Sequence, residues 1–278
     1  QSEDRKTQEL LAQSDGTFRI GVPRDGVLDN VTEEVAVAFE EALAAMQAAG
    51  ATVVTANLPT QHAINAGAEE FTVLLFEFKR DLNAYLATRS DVAVTREGFP
   101  KTLAGLIAFN LAHAEEELKW FGQQIFEIAQ DSGIDQATYE AALLEARRIG
   151  GTDGIDAALA QQNLHALVSP TDSPAWPIDL VNGDHFIFGT SSAAAIAGYP
   201  IVQVPMGFTS GLPMGISFYA GAFSEPTLIR LASGFEAVVQ ARRRPDFLPT
   251  LALNGRKHHG KRRKCELPGA VRTTPRRM

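Results

Sequence analysis

Three short apolar runs, His165 to Val168, Ile201 to Val204 and Met214 to Tyr219, lie close together between Leu164 and Gly221, and Pro or Gly bounds each of them. Buried strands are punctuated in this way, so this stretch is expected to supply strands of a sheet. The first two runs lead into loops, the first of them rich in Pro, Asp and Ser. In open α/β folds, loops beyond strand ends expose backbone while the strand fixes its position, and ligand groups gather there. Leu164 to Gly221 is therefore expected to form a wall of a binding site.

The N-terminal part fixes the class of sheet. Phe18 to Val22 alternates and ends at Pro23, which predicts a strand. Asn30 and Glu33 have capping-box spacing, Val35, Phe39, Leu43 and Met46 recur at helical spacing, and Gly50 supplies a stop. Ala51 to Thr55 is a second strand, so the unit reads as βαβ with parallel strands. Gln61 to Asn163 has a helical pattern with breaks at Asp91, Gly98-Phe99-Pro100, Ser132-Gly133 and Gly150-Gly151, predicting an insertion of four helices. Its stripes are Leu74, Phe78, Leu82 and Leu86, then Leu103, Leu106, Ile107 and Leu111. Ser224 to Arg242 is a last helix with Ser224 as N-cap, Leu228, Leu231, Phe235 and Val238 facing inward, and three Arg near its C-terminus.

Charge divides the chain at its end. From Asn254 to Met278, nine Lys or Arg face one Glu, a net +8, which leaves −16 for the rest. Residues 1–17 form a polar segment, 18–250 one α/β domain, and 251–278 a basic tail expected to be disordered. The acidic body lacks the clustered cations that polyanion binding needs, so nucleic acid enters only through the tail. The single cysteine, Cys265, allows no intramolecular disulfide, which fits a reducing, cytoplasmic location. No run of about 18 apolar residues spans a membrane. With Gln rather than Met first, the sequence is expected to start partway into a longer protein or after a removed segment.

Ser169-Pro170-Thr171, Ala197-Gly198-Tyr199-Pro200, Val204-Pro205-Met206-Gly207 and Leu212-Pro213-Met214-Gly215-Ile216, taken in this order, resemble the C-terminal half of the amidase signature family. Pro174-Ala175-Trp176, Asp179 to Asp184 and Glu77 to Asn83 are most similar to bacterial peptide-amidase-like enzymes. The resemblance, from Phe18 to Thr250, implies the C-terminal portion of an α/β/α amidase-type fold with a mixed central sheet and a large helical insertion. It also implies cleavage of the C–N bond of a small carboxamide or peptide amide, without a cofactor. In the family a Ser nucleophile is relayed through a second Ser in a cis peptide to a Lys, because an alcohol needs a base and its oxyanion needs donors. Those groups sit in a Gly-Gly-Ser-Ser-Gly-Gly-type loop that this sequence lacks.

No catalytic residue is therefore assigned. Gly189-Thr190-Ser191-Ser192, with Lys119 upstream, is the tempting substitute, but Ala193-Ala194-Ala195 follows the serines and Lys119 stands in a run of glutamates. Thr190 or Ser191 is read instead as a helix cap. Asp172, Ser173 and Trp176 are the substrate-binding candidates, since the family's corresponding loop walls the acyl pocket; the alternative for Asp172 and Ser173 is ordinary turn chemistry. His165, where relatives carry Asp, is read as a structural residue. No His pair has the spacing of a helical zinc site, and no GxGxxG or phosphate loop is present, so neither metal nor nucleotide cofactor is expected. The leading reading is an amidase-type hydrolase of which this chain is the C-terminal part, completed by its missing N-terminal half. The alternatives are a non-catalytic amidase-derived interaction protein and, more weakly, a nucleic-acid binder.

Overall fold

A computed structural model describes residues 18–89, 99–245 and 247. The expected βαβ unit is formed by β1 (Arg19–Val22), α1 (Glu33–Ala48) and β2 (Thr52–Thr55), with β1 and β2 parallel and Arg19 opposite Thr52. β3 (Ala166–Pro170) lies parallel on the other side of β1. β5 (Leu212–Tyr219) runs antiparallel to β3, and β4 (Ile201–Thr209) pairs antiparallel with β5. The order β2-β1-β3-β5-β4 makes a mixed sheet with β3 at its centre. Every residue of β3 is buried, as its unbroken apolar run requires when both faces are covered.

Strand alternation sorts the core into two layers. On one face Val35, Phe39, Leu43 and Met46 of α1 meet Leu228, Leu231 and Phe235 of α10 (Glu225–Val239) over Ile20, Val168, Ile216 and Phe218. On the other, Leu167 and Tyr219 meet Ile149, Ile155, Ala193 and Ala194. Helices therefore cover both faces, the α/β/α arrangement expected. Burial raises the Tyr219 phenol pKa, an effect the nearby Ser169 hydroxyl partly offsets.

The insertion has more pieces than four helices. Between β2 and β3 stand α2 (Gln61–Ala66), α3 (Ala68–Thr88), α4 (Leu103–Ala112), α5 (Ala114–Glu117), α6 (Gln124–Asp131), α7 (Gln136–Arg147), a nine-residue π-helix (Arg148–Asp156) and α8 (Ala157–Gln162). The breaks read at Asp91 and Gly98 lie outside the described residues. Gly150-Gly151 is no break at all: both glycines sit inside the π-helix, where it approaches α9 (Ser192–Ala197) and the adjoining Tyr199. The inward stripe of α3 begins at Leu75 rather than Leu74, which is exposed, and Leu111 also faces outward.

Side chains of the Glu77 to Asn83 run tie this lobe together. Lys79 Nζ donates to the Gln130 carbonyl near the C-terminal end of α6, where a cation meets the negative end of the helix. Glu77 accepts from the Tyr139 hydroxyl of α7, Asn83 accepts from the Leu103 amide that opens α4, and the Arg80 guanidinium lies over the Phe76 and Tyr139 rings.

Capping differs from the sequence reading at both flanking helices. α1 is bounded by Thr32, whose side chain makes no cap bond, so Asn30 stands too far upstream for a capping box with Glu33. Ser224 bounds α10 without a side-chain cap bond, and Val238 is exposed where Val239 packs inward. Gln240 in the left-handed region ends that helix, so the three Arg lie beyond its last turn; Arg243 stacks over Phe208 at 3.7 Å instead.

Candidate functional site

The loop that leaves the end of β3 is closed at its base. Asp172 and Gly189 form an antiparallel bridge, the Ser173 amide donates to the Phe188 carbonyl, and the Thr190 amide donates to the Thr171 carbonyl. Phe188 is buried in the main core and anchors the returning arm. Below the base, the Thr171 and Ser217 hydroxyls share a hydrogen bond of 2.8 Å beside Gly215. A Cβ at Gly215 would stand 2.5 Å from Gln203 Nε2 and 2.8 Å from Thr171 Oγ1, so only glycine leaves room for these polar groups to converge.

Of the three substrate-binding candidates, Asp172 and Ser173 come together at this base. The Asp172 carboxylate accepts from the Ser173 amide at 2.6 Å and from its hydroxyl at 3.1 Å, which is the turn chemistry their sequence offers. Trp176 stands further out. Its indole N–H donates to Asp184 at 2.6 Å and its ring meets Phe186 edge-on.

Sequence reading gave Asp179 no role, yet it organises the outer loop. Its carboxylate accepts from the Val181 and Asn182 amides, the Asn182 side chain and His185 Nε2. The spacing Asp179–Asn182 was the available signal, since Asp bonds its own backbone two and three residues on. These bonds, the Asn182 amide first, hold the Asp179 carboxyl far below the usual carboxylate range. A depressed folded pKa means that this contribution is complete above the unfolded value and is lost only as pH falls through the folded one. The Asp179 carboxyl carbon is thus expected to keep its ionised NMR shift at about pH 3.9, where an ordinary aspartate is half protonated. A half-titrated signal there would show that the turn does not hold.

The cap reading of Thr190 and Ser191 fails. Ser191 bounds α9 but has helical angles, φ −80° and ψ −24°, whereas a capping side chain needs an extended residue to reach the next amides. Thr190 Oγ1 donates the other way, to the Pro170 carbonyl at 2.7 Å. Lys119 lies just past α5, exposed, with its ammonium over the Trp120 ring. His165 is exposed rather than in the core, and its role is structural: Nδ1 accepts from the Arg19 amide at 2.9 Å and the ring meets Phe18 edge-on. Among the described residues, no three His, Cys, Asp or Glu gather as metal ligands, and no helix is long and apolar enough to cross a membrane.

Known proteins resemble this architecture over most of the described chain. A peptide amidase solved with the competitive inhibitor chymostatin is 42% identical with a TM-score of 0.73, covering 83% of this chain and 45% of its own. The native peptide amidase from Stenotrophomonas maltophilia is 40% identical with a TM-score of 0.71, covering 83% of this chain and 44% of its own. A probable amidase of Arabidopsis thaliana is 35% identical over 182 residues, 64% of this chain and 31% of that relative. The chain thus spans less than half the length of each of these relatives. The Amidase family model matches residues 1–229, and the chain belongs to that family.

Proposed function

We propose that residues 18–250 serve an amide-hydrolysing assembly, contributing part of its sheet and one wall of the substrate pocket. The observation that carries this reading is the loop from Asp172 to Gly189, clamped at the end of the central strand, with Asp172 and Ser173 at its base and Trp176 further out. Asp172 and Ser173 offer an acceptor and a hydroxyl to a substrate amide, and the Trp176 ring offers apolar cover to its acyl side. The nucleophile, its base and the oxyanion donors come from polypeptide carrying the Ser-cis-Ser-Lys groups, whose loop motif is absent from this sequence. The substrate class is a small carboxamide or a peptide amide.

The test uses the purified chain with C-terminal peptide amides, alone and mixed with the separately produced half of the S. maltophilia peptide amidase that the present chain does not match. No turnover is expected alone, and turnover is expected in the mixture. Trp176→Ala should lower kcat/KM by at least about tenfold, roughly 1.4 kcal/mol of transition-state binding. Turnover by the chain alone that Ser191→Ala or Ser192→Ala abolishes would refute the division of labour.

A further inference from the structure

In the helical lobe a cavity of about 280 Å³ opens between one face of α3 and the turn that joins α6 to α7. Phe76, Lys79, Arg80 and Asn83 line it from α3, where steps of three, four and seven residues put them on one side of the helix. The turn residues Ser132, Gly133 and Ile134 line it opposite. Gly133 is left-handed there, with φ 63°, and no atom lies within 4 Å of where its Cβ would stand.

Donors are in surplus around this cavity. Asp81 and Glu77 both lie against the Arg80 guanidinium, at 2.6 and 3.5 Å. Lys79 is half-buried, and among the described residues no carboxylate stands within ion-pair distance of it. It donates to the Gln130 carbonyl, which leaves the other hydrogens of its ammonium unspent. Asn83 spends its side-chain oxygen on the Leu103 amide, so its N–H donors remain. Neither the Gly133 nor the Ile134 amide meets an acceptor among the described residues. A cation drawn out of water is ordinarily paired, so an unpaired ammonium beside open space and spare donors points to an anion.

We propose that this cavity binds the carboxylate of a small, free aliphatic acid, with Lys79 as its counter-ion and the Asn83 side chain and turn amides as further donors. One unpaired cation matches a monoanion. Phe76 and Ile134 give the hydrocarbon part of such an acid an apolar wall. Phosphate is more than singly charged at neutral pH and has nothing to bond at that wall. A carboxylic acid is also what amide hydrolysis releases, but the inference does not rest on that activity.

The test titrates the 15N-labelled full chain with isobutyrate at constant ionic strength and follows the Gly133 and Ile134 amide signals. Isobutyramide, inorganic phosphate and the peptide N-acetyl-alanylvaline are the comparison probes. Isobutyrate should shift both signals saturably, while isobutyramide, neutral and of the same shape, should leave them in place. Lys79→Gln removes the charge but keeps a donor for the Gln130 carbonyl, and it should weaken isobutyrate binding at least about tenfold. Lys119→Gln, at the exposed lysine over Trp120, should bind as the parent does. Ser132→Asp, at a lining residue outside the packed core of the lobe, sets a like charge beside the ligand. It should also weaken binding, and it keeps the test decisive if Lys79→Gln lowers the thermal transition. Four results would each overturn the proposal: no saturable shift, equal shifts by isobutyramide, binding that both variants leave unchanged, or saturation by phosphate or the peptide alone. No turnover is measured, so this inference and the hydrolysis reading stand or fall separately.

Discussion

Phe218→Ala is expected to lower the free energy of unfolding by about 3–5 kcal/mol, the usual cost of removing a fully buried aromatic ring. Phe218 lies in the interior strand β5, with no exposed surface, opposite Val168 of β3 and Val202 of β4. Its ring meets Phe235 edge-on at 5.8 Å, so it joins the sheet to α10. A single domain commonly has about 5–15 kcal/mol of stability, so the variant should lose a large share of it. Urea denaturation of parent and variant measures the difference, and Phe218→Leu, which keeps most of the volume, should cost much less. A loss below about 1 kcal/mol for the alanine would mean that the two layers do not meet at this ring.

Why the sequence predicted the sheet well and the insertion poorly follows from what each element buries. β3 and the inward face of α1 are covered completely, so Ala166-Leu167-Val168 and Val35, Phe39, Leu43 and Met46 show the periods of strand and helix undiluted. The insertion helices are covered on narrow stripes only, so apolar residues point both ways, and Leu74 is as apolar as its buried neighbour Leu75. Gly150-Gly151 looked like punctuation because the sequence does not distinguish a glycine needed for close approach from one that ends a helix. The candidate site divides in the same way. Asp172 and Ser173 were legible from local turn chemistry, as was the position of the loop at a strand end. The Asp179 turn was legible on the same local ground, through its bonds two and three residues on, whereas the Thr171–Ser217 bond depends on the β3–β5 register, which no local pattern encodes.

Gly150→Ala should be destabilising, although the local term points the other way. Replacing a helical glycine by alanine ordinarily stabilises by up to about 1 kcal/mol, because the chain loses less freedom on folding. At Gly150, however, the new methyl would stand 2.5 Å from Ile196 Cγ1, 2.8 Å from the Ala193 carbonyl oxygen and 3.1 Å from the Ala197 amide nitrogen. Two of these are backbone atoms of α9, which do not swing aside as a side chain does, so the helices must separate and open the layer around Leu167 and Tyr219. Overpacking of this kind costs about 1–3 kcal/mol, which outweighs the local gain. Gly105→Ala is the matched control. Its nearest neighbour would be Thr102 Oγ1 at 3.4 Å, an ordinary contact, so the local gain of about 0.4–1 kcal/mol should appear undiminished. Thermal melts of the two variants should move in opposite directions. In an Ile196→Ala background, Gly150→Ala should recover only part of its loss, because the Ala193 carbonyl remains; full recovery would show that the fit is set by one side chain and not by the approach of the two backbones.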